Sequence, residues 1–201
     1  MIWYEEEVVR LATERNKLPY EPKTIFYGSS SIRLWTTLYQ DFEVCKPVNL
    51  GFGGSTLAAC DWFFDRILQS YEPEQMVFYA GDNDLGDGRH PEEVFLFFEL
   101  LLAKLKNRFP NIQFYFISIK PSIDRWDIVE RIKYANELIR GAINAAGNGF
   151  NYIDIFAAML DANGKPQPLF FEEDGLHLSE RGYTIWKDIV WKHLGERFTI
   201  R

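Results

Sequence analysis

Short apolar runs alternate with longer amphipathic ones along the whole chain. The runs 24–28 (TIFYG), 46–51 (KPVNLG), 75–81 (QMVFYAG), 112–119 (IQFYFISI) and 151–155 (NYIDI) are rich in β-branched and aromatic residues and end in glycine or polar clusters, the pattern of strands. Between and after them, 55–70, 91–108, 127–146 and 179–194 carry apolar residues at helical spacing. In the first of these, Leu57, Cys60, Phe64, Ile67 and Leu68 share one face. The second opens on Pro91-Glu92-Glu93, with proline in the first turn and acids at the positive end of the helix dipole. Strands alternating with helices predict βαβ crossovers, hence a three-layer α/β/α domain around a mostly parallel five-stranded sheet. With 201 residues and no linker, repeat or low-complexity tract, one domain over 1–201 is expected.

Composition narrows the function. A net charge of −7 argues against nucleic acid and anionic membranes as partners. No apolar run approaches the roughly 18 residues needed to span a bilayer. The first residues, MIWYEEEVVRLATERNKLP, lack a signal-peptide pattern, and Glu5-Glu6-Glu7 reads as a solvated helix face. Two cysteines, Cys45 and Cys60, form neither a disulfide framework nor a metal cluster, which suits a reducing cytoplasm; no cofactor is expected. A homo-oligomer is left open. The 16% aromatic content points to a broad core or an apolar cleft.

In an open parallel sheet, loops at the carboxyl ends of the strands meet along one edge and form the site. Here they read GSSS, NLGFGGST, GDNDLGDG and IKPSIDRW. A serine needs an adjacent base, usually a histidine oriented by a carboxylate, to become a nucleophile. Of three histidines, His193 lies late in an amphipathic helix and His90 precedes Pro91 as a loop or capping residue. His177 follows Asp174 by three residues, close enough in one turn for the carboxylate to accept from Nδ1–H and leave Nε2 for a hydroxyl. An acyl-transfer intermediate also needs donors aimed at its oxyanion. Gly54, with no side chain in the way, and the Asn83 amide stand at strand ends for that. Taken singly, each has a bland reading as well: a turn glycine, a solvated loop, an Asp-Gly turn before a helix. GFGGST is not a dinucleotide fingerprint, because Thr56 stands where the third glycine is needed. The run from Asp82 to Glu93 is not a calcium loop, because Gly86 and Asp87 fall one place out of register.

Together these blocks resemble the SGNH hydrolases, the GDSL-type esterase and lipase superfamily. GSSSIRLW matches the first block with Ser29 in place of its Asp, NLGFGGST matches N-x-G-x-x-G, GDND matches G-x-N-D, and DGLHLSERG matches D-x-x-H-x-x-x-x-G. The resemblance implies a flavodoxin-like fold and metal-independent hydrolysis of small-molecule esters. Ser30 would be the nucleophile, His177 the base and Asp174 its orienting carboxylate. Ser30, Gly54 and Asn83 would form the oxyanion hole, with Ser29 and Ser31 as turn and N-cap neighbours. Short-chain or acetyl esters are the expected substrates. A lysophospholipase or lipase-type acylhydrolase is the alternative, and a non-catalytic subunit on the same fold a remoter one. Around the expected cleft, Lys120, Arg125, Trp126, Phe170 and Phe171 are candidates for substrate contact, against their readings as solvated charges and core plugs.

Overall fold

The computed structural model describes residues 2–195. Five parallel strands, β1 (Thr24–Gly28), β2 (Pro47–Gly51), β3 (Gln75–Tyr79), β4 (Gln113–Ile117) and β5 (Phe150–Ile153), form one sheet in the order β2-β1-β3-β4-β5. The helices are α1 (Glu5–Thr13), α2 (Ser30–Arg33), α3 (Leu38–Asp41), α4 (Leu57–Leu68), α5 (Asp82–Gly86), α6 (Pro91–Arg108), α7 (Val129–Ala146) and α8 (Glu180–Leu194). This is the three-layer arrangement expected from the alternating pattern, with the flavodoxin-like strand order.

Every residue of β1 and β3 is buried, because helices cover both faces of the sheet. Alternation along β1 sends Ile25 and Tyr27 into a core shared with α1, α4, α6 and α7. Phe26 points to the other core, built with α2, α3 and α8. Most of the described aromatic residues are buried in these two cores, while Trp3 and Trp62 stay exposed. Trp35 packs its ring against Phe26, Phe42, Tyr183 and Trp186. Burying a side chain such as Phe26 or Phe42 contributes about 1.5–3 kcal/mol each. Phe170 and Phe171 also belong to this second core, as the core plugs of the two readings offered for them.

Helix boundaries follow local chemistry. Thr56 Oγ1 accepts from Ala59 N–H at the start of α4, and Ser179 Oγ accepts from Gly182 N–H at the start of α8. At α6, Glu93 Oε2 accepts from the backbone N–H of His90, which makes His90 a capping residue as expected. No helix among the described residues is long and apolar enough to cross a membrane.

The site is positioned by the sheet order itself. From β1 the chain crosses to β2 on one side and later to β3 on the other, so the loops after β1 and β3 diverge and leave a crevice at their carboxyl ends. Gly28 permits the close crossing there. It has φ +138°, and a Cβ on it would stand 1.9 Å from the Tyr79 carbonyl oxygen. That same oxygen accepts from Ser29 N–H at 2.9 Å, which pins the start of the serine loop to β3.

Candidate active site

Three consecutive serines leave β1 with different fates. Ser29 and Ser31 are each only 2% exposed, whereas Ser30 is half-buried at the start of α2. Ser29 occupies the N-cap position without a side-chain cap bond, and the Ser31 carbonyl accepts from Tyr183 O–H at 3.0 Å. Only the Ser30 hydroxyl faces a histidine. His177 Nε2 lies 3.2 Å from Ser30 Oγ, across 147 residues of sequence.

The opposite ring nitrogen, Nδ1, lies 2.5 Å from Asp174 Oδ2. Facing a carboxylate makes Nδ1 the protonated nitrogen, so Nε2 carries the lone pair and accepts from the Ser30 hydroxyl. The second Asp174 oxygen, Oδ1, accepts from the backbone N–H groups of Leu176 and His177, both at 2.9 Å. Partial burial alone would raise the Asp174 carboxyl. The His177 ring and those two N–H groups outweigh it and hold the carboxyl down to about 2. Asp174 therefore stays ionised across the neutral range. The turn is itself tied down, since the Gly175 carbonyl accepts from Ile123 N–H and Asp124 N–H in the loop after β4.

Besides Ser30, the residues expected to donate to an oxyanion lie after β2 and after β3. Gly54 has φ +65° in the loop after β2. A Cβ there would meet no protein atom within 4 Å, so the left-handed backbone, rather than crowding, is what calls for glycine. The N–H groups that precede Gly54 and Ser30 in their loops are occupied: Gly53 N–H donates to Glu7 Oε2 at 2.7 Å and Ser29 N–H to Tyr79 O. Those of Ser30 and Gly54 have no protein acceptor among the described residues. The Asn83 amide, in the first turn of α5, donates through Nδ2 to the Ser55 carbonyl at 3.0 Å, and its Oδ1 accepts from Arg125 Nη2 at 3.2 Å. Ser30, Gly54, Asn83, Asp174 and His177 thus converge on one edge of the sheet.

Several residues supporting this edge are not apparent from the sequence. Tyr4 O–H donates to the Gly54 carbonyl at 2.8 Å, and Glu7 accepts from Gly53. The N-terminal helix is therefore a brace for the glycine loop. Its acids are not simply solvated, for Glu5 also pairs with Arg66. Lys120 and Arg125 are not solvated charges either. Lys120 is 1% exposed and pairs with Asp82, and Arg125 Nη1 donates to the other Asp82 oxygen at 2.6 Å. Burial alone would raise the Asp82 carboxyl, but these two cations hold it below the usual range. Asp84 accepts from Leu57 N–H at 2.7 Å and pairs with Arg89. Both aspartates of the GDND run are thereby committed to protein partners. Trp126 is half-buried, with Lys165 Nζ 4.8 Å from its ring centroid.

Solved structures repeat this fold over nearly the full chain. A Streptococcus pneumonia protein provisionally assigned as a platelet activating factor superposes with a TM-score of 0.81 at 21% identity, covering 96% of this chain and 94% of its own. A GDSL-like lipase from Bacteroides thetaiotaomicron gives 0.80 at 20% identity, covering 94% and 98%. A carbohydrate esterase family 3 protein from Talaromyces cellulolyticus gives 0.72 at 15% identity, covering 88% and 98%. Among curated protein sequences, none matches this chain. The sequence profile of the GDSL-like lipase/acylhydrolase family matches residues 27–185, a span that holds every one of the five converging residues, and the chain belongs to that family.

Proposed function

We propose that the protein is a serine esterase that hydrolyses carboxylic esters of short acyl chains, acetyl esters among them. The observation that carries this reading is the contact of Ser30 Oγ with His177 Nε2 at 3.2 Å, backed by Asp174 at 2.5 Å from Nδ1. Ser30 Oγ attacks the acyl carbon while His177 takes its proton. The imidazolium that forms is stabilised by the adjacent ionised Asp174. The Ser30 and Gly54 N–H groups and the Asn83 amide receive the oxyanion. His177 then protonates the departing alcohol oxygen. In the second half-reaction, it deprotonates a water that attacks the acyl-enzyme and releases the acid and free Ser30.

Preference for small acyl groups is supported by Phe170 and Phe171. They are used in the core beside α8 and do not furnish the wall of an apolar acyl tunnel. A panel of p-nitrophenyl esters from C2 to C16, together with acetylated sugars, tests the reading. Acetylated sugars belong in it because one structure of the same fold is a carbohydrate esterase. Turnover should be highest at C2–C4 and fall steeply with chain length. A maximum at long chains would move the protein to the lipase-type alternative, and a flat zero would leave a non-catalytic role. Each step uses protein groups and water alone, so EDTA should leave the rates unchanged. Loss restored by divalent ions would refute the mechanism.

A further inference from the structure

The Asn83 amide poses a problem of orientation that its own shape does not solve. Rotating it by half a turn exchanges Oδ1 and Nδ2 at almost no steric cost, and only one of the two orientations offers N–H groups to an oxyanion. Its neighbours decide the matter. A guanidinium has donors only, so the amide atom beside Arg125 Nη2, at 3.2 Å, must be the oxygen. The backbone carbonyl of Ser55 has lone pairs only, so the atom 3.0 Å from it must be the nitrogen. In the reversed amide both contacts would be repulsive. With one Nδ2 hydrogen committed to Ser55, the other remains for a ligand.

Resting on the esterase reading above, we propose that Arg125 is a positioning residue: its guanidinium bridges Asp82 and Asn83 and turns the Asn83 amide with its hydrogens toward the ester oxygen. The fork geometry suits this task, because Nη1 donates to Asp82 Oδ1 at 2.6 Å while Nη2 donates to Asn83 Oδ1. Asp82 is in turn held by the buried Lys120, whose Nζ also lies 3.3 Å from the Tyr79 hydroxyl. The anchor is thus a fixed, water-poor cluster beneath the loop. Two cations face the Asp82 carboxylate in it, and the Asp124 carboxylate also acts on Arg125, so the guanidinium is held by charge as well as by its hydrogen bonds. The loop carrying Lys120 and Arg125 also donates from Ile123 and Asp124 to the Gly175 carbonyl. One segment therefore positions both the amide and the Asp174–His177 turn.

The informative variant is Arg125→Lys. It keeps a cation opposite buried Asp82, so the carboxylate is not orphaned, but a single ammonium cannot span both acceptors. Its melting temperature should stay near that of the parent. With a soluble short-chain ester, kcat should fall roughly tenfold with KM changed by no more than about twofold, as for a group felt only in the transition state. In an Asn83→Ala background the same change should cost less than about twofold, because the group it orients is gone. The Asn83 side-chain amide resonances, resolved and rigid in the parent, should shift and broaden in Arg125→Lys. Parental kcat in Arg125→Lys, an equal loss in both backgrounds, or unmoved amide resonances would each overturn the proposal. Failure of the esterase reading looks different: Ser30→Ala would keep the parental rate, or no ester would be turned over. The amide resonances then still decide whether Arg125 sets the orientation of Asn83.

Discussion

Ser30→Ala should yield a folded protein whose kcat on a soluble ester is lower by on the order of 10⁴- to 10⁶-fold, the loss typical of removing a nucleophile while binding and oxyanion donors remain. Folding should survive because Ser30 is half-buried and its hydroxyl meets His177 rather than a core partner. Its neighbours are the internal control. Ser29 and Ser31 are 2% exposed, and neither hydroxyl faces His177, so alanine at either position should keep most of the turnover. Steady-state kinetics with circular dichroism on the three single variants suffices. Retained turnover in Ser30→Ala, with loss in Ser29→Ala or Ser31→Ala, would show that the nucleophile had been placed on the wrong residue of the loop.

Asn83→Ala is expected to lower kcat much more than it raises KM, by on the order of 10²-fold, or roughly 3 kcal/mol, because an oxyanion donor matters chiefly in the transition state. Asn83→Asp should be worse although it matches the amide in size. The carboxylate has no hydrogen to give, and it sets a negative charge where another develops. It would also face the Ser55 carbonyl oxygen, which now accepts from Nδ2 at 3.0 Å, while the Arg125 guanidinium binds it more tightly in that useless orientation. Near-parental kcat in both variants would remove Asn83 from the oxyanion site and leave the reading on Ser30, His177 and Asp174.

Much of the architecture could be read from the chain because local rules and tertiary needs agree. The limits of β1 (Thr24–Gly28) and α6 (Pro91–Arg108) coincide with those expected, since a glycine or a proline with following acids marks the ends. Where packing decides, the limits move. β5 ends at Ile153 rather than at residue 155, for Ile155 N–H turns to Ser118 Oγ instead of the ladder. Ser30, Gly54, Asn83, Asp174 and His177 could be named as candidates because the blocks that hold them fall in the order of the family they resemble; taken singly, each also reads as an ordinary turn or loop residue.

The supporting layer was not legible, and Lys120 and Arg125 carry the reason. By sequence they are two cations in a polar loop, for which water is the ordinary partner. Only the fold brings Asp82, 38 and 43 residues away, against both of them in a buried space. The same holds for Tyr4 and Glu7, which reach Gly54 and Gly53 over 50 and 46 residues. A buried charge needs a partner that compensates its lost hydration, and for Lys120 and Arg125 that partner is supplied by chain topology rather than by neighbours in sequence. The sequence by itself determined the layers, the strand ends and the chemical groups available at them; the tertiary structure decided which serine meets the imidazole and which buried charges hold the Asn83 amide.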